Sequence, residues 1–323
     1  MGLIQTVLGL TAPKPDPQQA QAPAQPKRKL PQQLCRDPRV NKQLKTGGYC
    51  AVLNNANDNR YDAVLAAGQL LERDMVLVPA GAVQIEEFGV GAAGSKVVRE
   101  EAFFVDKFPV TNEQFKHFLN EDGYRNAEFW PKQVWPLVSR VFIDTTGVPA
   151  PMNWESANYD PEKAEHPVVG ISWFEATAYA NWVGKQLPTT IQWQRAATWW
   201  KPGCRFPWGE RNDRRRLNSF GSGADDTVSV HEFKTSGTPA GVEQLAGNVW
   251  EWTQNFHMEL LVDGETKPLD EPIAEIRGGA FDTYLAAQST CNFRAAQPLM
   301  SRNNNVGFRC VASHELLALI TSD

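Results

Sequence analysis

Paired cysteines are missing from this sequence. The five present (Cys35, Cys50, Cys204, Cys291 and Cys310) are odd in number and form no CxxC, which argues against both a zinc knuckle and a disulfide framework. Cys35 and Cys50 are read as unrelated thiols, with a pair in an oxidising compartment as the alternative. No apolar run approaches the roughly 18–20 residues that span a bilayer, so no membrane span is expected. The opening, MGLIQTVLGLTAP, has neither a basic n-region nor a cleavage site. It reads as an uncleaved cytoplasmic start, with export or a virion surface as the alternative. No solenoid-type repeat is present.

What is there is unevenly distributed. Residues 1–45 hold eight Lys/Arg against two Asp, a balance of +6, so the rest carries −11 of the total −5. Lys27-Arg28-Lys29 suits an acidic partner or nucleic acid, and the plainer reading is a solubilising tail. Residues 12–34 contain six prolines and six glutamines. Such a stretch cannot bury enough surface to offset its ordering entropy, so residues 1–34 read as a disordered basic segment. Residues 35–74 read as a short, partly helical extension, in which Asn59 is positioned to cap a helix carrying Val64, Leu65, Leu70 and Leu71. The main domain is expected over residues 75–315, with 316–323 as a tail.

Within that domain, Met75-Val-Leu-Val78 and Ala82-Val-Gln-Ile85 read as strands around Pro79-Ala-Gly81, and another strand runs from Val97 to Val105. Three capping boxes, Thr111…Gln114, Ser172…Glu175 and Thr189…Gln192, announce helices. These present Phe115, Phe118 and Leu119, then Ala178, Tyr179, Trp182 and Val183, then Trp193, Ala196, Ala197 and Trp200. Gly184 is suited to end the second helix. After residue 200 the composition turns to Gly, Asn, Asp and Pro, which predicts an irregular region with few strands. All eleven tryptophans lie between Trp130 and Trp252, as large aromatics would in a core without long regular elements.

An ordered series of stretches resembles the formylglycine-generating-enzyme (sulfatase-modifying) family. It comprises Met75-Val-Leu-Val-Pro-Ala-Gly81, Phe104-Val-Asp-Lys-Phe-Pro-Val-Thr-Asn-Glu-Gln-Phe115, Pro167-Val-Val-Gly-Ile-Ser-Trp173, Gly184-Lys-Gln-Leu-Pro-Thr-Thr-Ile-Gln-Trp193, Phe206-Pro-Trp-Gly209, Gly247-Asn-Val-Trp-Glu-Trp252, Arg277-Gly-Gly279 and Gly307-Phe-Arg309. The resemblance covers roughly residues 75–312. It implies an α+β fold of the C-type-lectin-like kind, rich in loops and poor in regular secondary structure. Arg277 and Arg309 are then expected to tie loops together through backbone carbonyls. Family members can hold calcium near the glycine–asparagine turn. The corresponding ligands here would be Gln244, Gly247, Val249 and Glu251, with Gln244 a longer, neutral substitute for the Asp or Asn a hard cation prefers.

The family's oxidase chemistry is implied to be absent. Its enzymes use two cysteines a few residues beyond the Arg-Gly-Gly turn to bind copper and engage the substrate thiol, and soft thiolates suit that metal. Those positions fall near Thr283 and Gln288, and Cys291 reads as standing alone. A family branch that uses three metal-binding histidines finds no counterpart in the scattered His117, His166, His231, His257 and His314.

The ending Arg302-Asn-Asn-Asn-Val-Gly-Phe-Arg309 resembles variable proteins of diversity-generating retroelements, which use the same lectin-like fold and are rewritten at adenines. Within a candidate variable region 277–312, Asp282, Thr283, Tyr284, Leu285, Asn292, Phe293, Leu299 and Ser301 look like a rewritten set, with Phe281 either joining them or filling the core. Rigid aromatics among adaptable polar groups resemble an antibody-like site. The expectation is a non-catalytic protein that binds a protein or cell-surface ligand through these loops and requires no cofactor, calcium being the one option. The alternatives are an oxidase with altered chemistry and a scaffold that holds the basic N-terminal segment.

Overall fold

The computed structural model describes residues 34, 35, 37–55, 61–90 and 94–316. The expectations for residues 1–33, for Asn59 and for 317–323 lie outside the described residues. Among the described residues, three helices come first: α1 (Pro38–Lys45), α2 (Tyr49–Asn54) and α3 (Tyr61–Asp74). Asp37 caps α1 by accepting from the amides of Arg39 and Val40. The buried Leu44, Cys50, Leu53, Ala67 and Leu71 pack on Met75, Phe104, Ala312 and Leu316 of the following domain.

Strands β1 (Met75–Val78) and β2 (Gly81–Glu86) lie where expected. The stretch read as one strand from Val97 divides into β4 (Ser95–Glu100) and β5 (Phe103–Asp106), after the short β3 (Gly89–Val90). The division follows the pairing. β4 lies antiparallel to β2, while β5 is the middle strand of a sheet with β1 and the C-terminal β10 (Val311–Ser313).

All three capping boxes form in full, opening α4 (Asn112–Asn120), α5 (Trp173–Val183) and α6 (Thr190–Thr198). At α6, the Thr189 amide donates to Gln192 Oε1 at 3.0 Å and the Gln192 amide donates to Thr189 Oγ1 at 3.0 Å. Each box satisfies two otherwise orphaned amides. Gly184 ends α5 with φ of 74°. The buried faces of α4 and α5 meet in an aromatic core where Phe115 stacks on Tyr179 at 5.5 Å and Phe308 packs on Tyr179 at 5.3 Å.

The region after residue 200 differs from expectation in one respect. It contains a long hairpin, β6 (Trp250–Val262) and β7 (Glu265–Arg277), extended into a sheet by β3, by β8 (Ala295–Pro298) and by β9 (Val306–Gly307). Register shifts between Trp252 and Phe256 and between His257 and Glu259 break the alternation that would announce a strand. Pro268 and Pro272 in β7 also read against one. No helix among the described residues is long and apolar enough to cross a membrane.

Candidate functional site

The C-terminal loops are held from below by three arginines. Arg309 is fully buried. It donates to Glu251 through Nε (2.8 Å) and Nη2 (2.7 Å), and to the carbonyls of Asp106, Lys107 and Glu243. Arg277, also fully buried, donates to Thr190 Oγ1, Gln194 Oε1 and the Cys291 carbonyl, with its guanidinium 4.9 Å from the Trp193 ring centre. Burial pushes its pKa down to about 9. Both arginines thus tie loops together, through side chains as well as the carbonyls expected. Arg302 anchors the Asn-rich ending. It pairs with the buried Glu175 at 2.9–3.0 Å and reaches the Ile143 and Ala150 carbonyls.

The glycine–asparagine turn has a structural role. Gly247 has φ of 79°, and a Cβ there would meet the Asn218 carbonyl oxygen at 2.4 Å. Asn248, itself at φ 68°, exchanges hydrogen bonds with the Val228 backbone, and its carbonyl receives the Phe281 amide. The turn therefore clamps the 218–228 loop to Phe281, near the start of the candidate variable region. The two side chains expected for calcium are already committed. Arg309 and Trp193 Nε1 occupy the Glu251 carboxylate, and Asn248 occupies Gln244 Oε1 at 2.7 Å. A guanidinium locked on the only carboxylate of the set repels a second cation, so Glu251 and Gln244 as placed do not fit the ion.

The structure separates the candidate display residues. Tyr284 and Leu285 are 73% and 57% exposed, and Asp282 and Asn292 also face solvent. Asp282 accepts two hydrogen bonds from Asn305 Nδ2. Phe293 is half-buried, 6.1 Å from the Trp250 ring, and Ser301 is half-buried. Phe281, Thr283 and Leu299 are buried and are corrected to interior positions. Thr283 Oγ1 accepts the Ala280 amide at 2.7 Å and closes the turn after Gly279. Leu299 joins the buried aromatic core that also contains Trp250 and Phe308.

The sequence reading missed Phe220. It is 53% exposed, packs on Tyr284 with ring centres 5.4 Å apart, and donates its amide to the Thr283 carbonyl. The available signal was an aromatic inside Asn-Ser-Phe-Gly-Ser-Gly, which offers it no core. Cys291 does not stand alone either. Its thiol interacts with that of Cys204, both are fully buried, and burial pushes the Cys291 thiol up. Near the places where the resemblance would put the family's copper-binding cysteines stand Thr283 and the half-buried Gln288, and neither side chain supplies a thiolate.

Residues 62–314 match the model of the sulfatase-modifying factor enzyme 1-like domain, well over half of the chain. The chain belongs to this family. The formylglycine-generating enzyme of Streptomyces coelicolor is 31% identical over 289 residues, covering 76% of this chain and 90% of that enzyme. The serine/threonine-protein kinase Pkn1 of Chlamydia trachomatis serovar L2 is 33% identical over 215 residues, 64% of this chain. The chain spans only 33% of that kinase's length. Among solved structures, Treponema denticola variable protein 1 superposes with a TM-score of 0.52 at 17% identity, covering 74% of this chain and 94% of that one. That likeness shows the fold, which is α+β and C-type-lectin-like.

Proposed function

We propose that this family member is a non-catalytic ligand-binding protein whose C-terminal loops carry a diversified recognition surface, in the manner of retroelement variable proteins. The observation that carries the reading is the contrast within residues 277–312. Arg277, Arg302, Phe308 and Arg309 are fixed by buried contacts, whereas Asp282, Tyr284, Leu285 and Asn292 between them face solvent. A rigid frame under free side chains permits sequence change without loss of fold, because exposed substitutions usually alter stability by no more than about 0.5 kcal/mol. Thr283 and Gln288 at the cysteine positions, and the likeness in fold to a variable protein, support it.

The test is genomic. Flanking DNA should encode a reverse transcriptase and an adenine-rich near-copy of residues 277–312, and sequencing many cells should show changes at codons 282, 284, 285 and 292. Phe281, Thr283 and Leu299 should stay constant. Changes spread evenly over buried and exposed positions, or no near-copy at all, would end the reading.

A second reading, an oxidase with altered chemistry, draws on one observation: Cys204 lies against Cys291. Two thiols in contact supply soft ligands, although both are shielded from solvent.

A further inference from the structure

Residues 201–216 carry six Lys/Arg and two acids, in a chain of net charge −5. Both acids are neutralised within the segment. Glu210 pairs with Lys201 at 2.8 Å, and Asp213 pairs with Arg215 at 2.9 Å and Arg216 at 3.6 Å. Arg205, Arg211 and Arg214 remain exposed and form no salt bridge among the described residues. The segment is a built loop. Phe206 is buried and exchanges backbone hydrogen bonds with Gly209 at 2.8 and 2.9 Å. Trp208 stacks on Phe206 at 5.3 Å and donates Nε1 to the Arg211 carbonyl. Arg216 Nη1 reaches the Thr235 carbonyl.

This loop runs beside the display loop. At one end the Cys291 amide donates to the Arg205 carbonyl at 2.8 Å, and just past the other end the Phe220 amide donates to the Thr283 carbonyl at 3.2 Å. Residues 283–293 contain no charged side chain. Of the acids elsewhere near this face, Asp226 pairs with Lys163 at 2.6 Å, whereas Asp282, which accepts from the neutral Asn305 amide, and the exposed Asp225 keep their charge. The result is an apolar centre of Tyr284, Leu285 and Phe220 beside which three arginines without a salt bridge outnumber these two carboxylates.

We infer that Arg205, Arg211 and Arg214 form the charged rim of one recognition face with Tyr284, Leu285 and Phe220, and that this face takes an acidic polypeptide segment bearing apolar side chains. The inference rests on the reading of the C-terminal loops as a recognition surface. Guanidinium groups pair bidentately with carboxylates, and aromatic and arginine side chains dominate protein interfaces. A nucleic-acid strand fits less well. Tyr284 and Phe220 pack on each other at 58° and so offer no open parallel face of the kind that stacks bases, and Leu285 is aliphatic.

The test uses a fluorescein-labelled peptide of repeating Glu-Leu-Glu-Tyr, its Lys-Leu-Lys-Tyr counterpart and single-stranded oligothymidine against the full chain. The acidic peptide should bind, weaken with added salt, and lose at least about ten-fold in affinity when Arg205→Glu, Arg211→Glu and Arg214→Glu are combined. It should weaken also with Tyr284→Ala plus Leu285→Ala, and the lysine peptide should not bind. Should the charge reversal lower the melting temperature, the corresponding Arg→Gln set provides the same comparison. No binding of the acidic peptide, undiminished binding by the arginine variants, or tighter binding of oligothymidine overturns the inference. Loss in the arginine variants with full affinity in the Tyr284/Leu285 variant overturns the single face. The diversification reading is decided separately, by the flanking DNA.

Discussion

Phe308 and Tyr284 are both aromatic residues of the C-terminal stretch, and their surroundings set opposite expectations for truncation. Phe308 is fully buried against Phe115 and Tyr179, so Phe308→Ala leaves a cavity that costs about 3–5 kcal/mol. Arg309→Ala strands the buried Glu251 carboxylate and also costs about 3–5 kcal/mol. Tyr284→Ala and Leu285→Ala remove side chains already in water, for a change within about 0.5 kcal/mol. Chemical denaturation measures all four, and early unfolding of the Tyr284 or Leu285 variant would show that these residues support the core. Glu275 makes a pH-dependent contribution. Burial alone would raise its carboxyl, but His257 Nε2 at 2.7 Å and Arg294 at 3.4 Å hold it below its ordinary value. With the folded pKa depressed, the unfolded chain binds the proton more readily. The stabilisation is therefore present above the unfolded value of about 4.3 and is lost as pH falls through the folded one. Glu275→Gln should lose less stability than the parent on acidification below about pH 5, measured by denaturant midpoints, and parallel loss in both would exclude this role.

Elements differed in how far the sequence announced them. The three capped helices were legible because a capping box is a local signal, complete within four residues. Gly184 and the strands around Pro79-Ala-Gly81 were legible for the same reason. The β6–β7 hairpin was hidden by its bulges and prolines. Phe220 and Cys204 were hidden because their partners, Tyr284 and Cys291, are distant in the chain and meet only through the fold. Residues 35–74 were read as a short, partly helical extension, with Gly68 weakening the helical pattern. In the structure they form part of the core. Lys185 Nζ, buried, sits 2.6 Å from Asp106 Oδ1 and 2.8 Å from Tyr49 Oη on α2. Deleting residues 1–74 would uncover Met75 and Phe104 and open that ion pair to water. The deletion should aggregate in size-exclusion chromatography, whereas a chain beginning at Leu34 keeps these contacts and should melt like the parent. A soluble, cooperatively folding 75–323 fragment would show that the helices are dispensable.

At the scale of the whole molecule, family membership and chemistry are separate questions. The Streptomyces coelicolor relative aligns over 76% of this chain, so the frame is shared; the proposal of lost chemistry turns on Thr283 and Gln288, near which the resemblance would put the family's two thiolates. Thr283 Oγ1 is committed to the Ala280 amide, and a hydroxyl or amide replaces a soft thiolate poorly as a ligand for Cu(I). Cys204 and Cys291 touch each other but are fully buried, and the Cys291 carbonyl is engaged by Arg277. A peptide thiol would have to displace this packed layer to reach them. On the binding reading, incubation with copper, oxygen and a peptide bearing the sulfatase cysteine motif should yield no aldehyde by mass spectrometry. Cys204→Ala and Cys291→Ala extend the test, because the two outcomes that contradict the prediction differ. Turnover abolished by either substitution would place catalysis on the buried pair and make the chain an oxidase with relocated ligands. Turnover that survives both would require a reactive centre elsewhere in the fold. With no turnover in any form, the altered-oxidase reading loses the one observation in its favour, and the exposed loops above the arginine frame remain the functional surface.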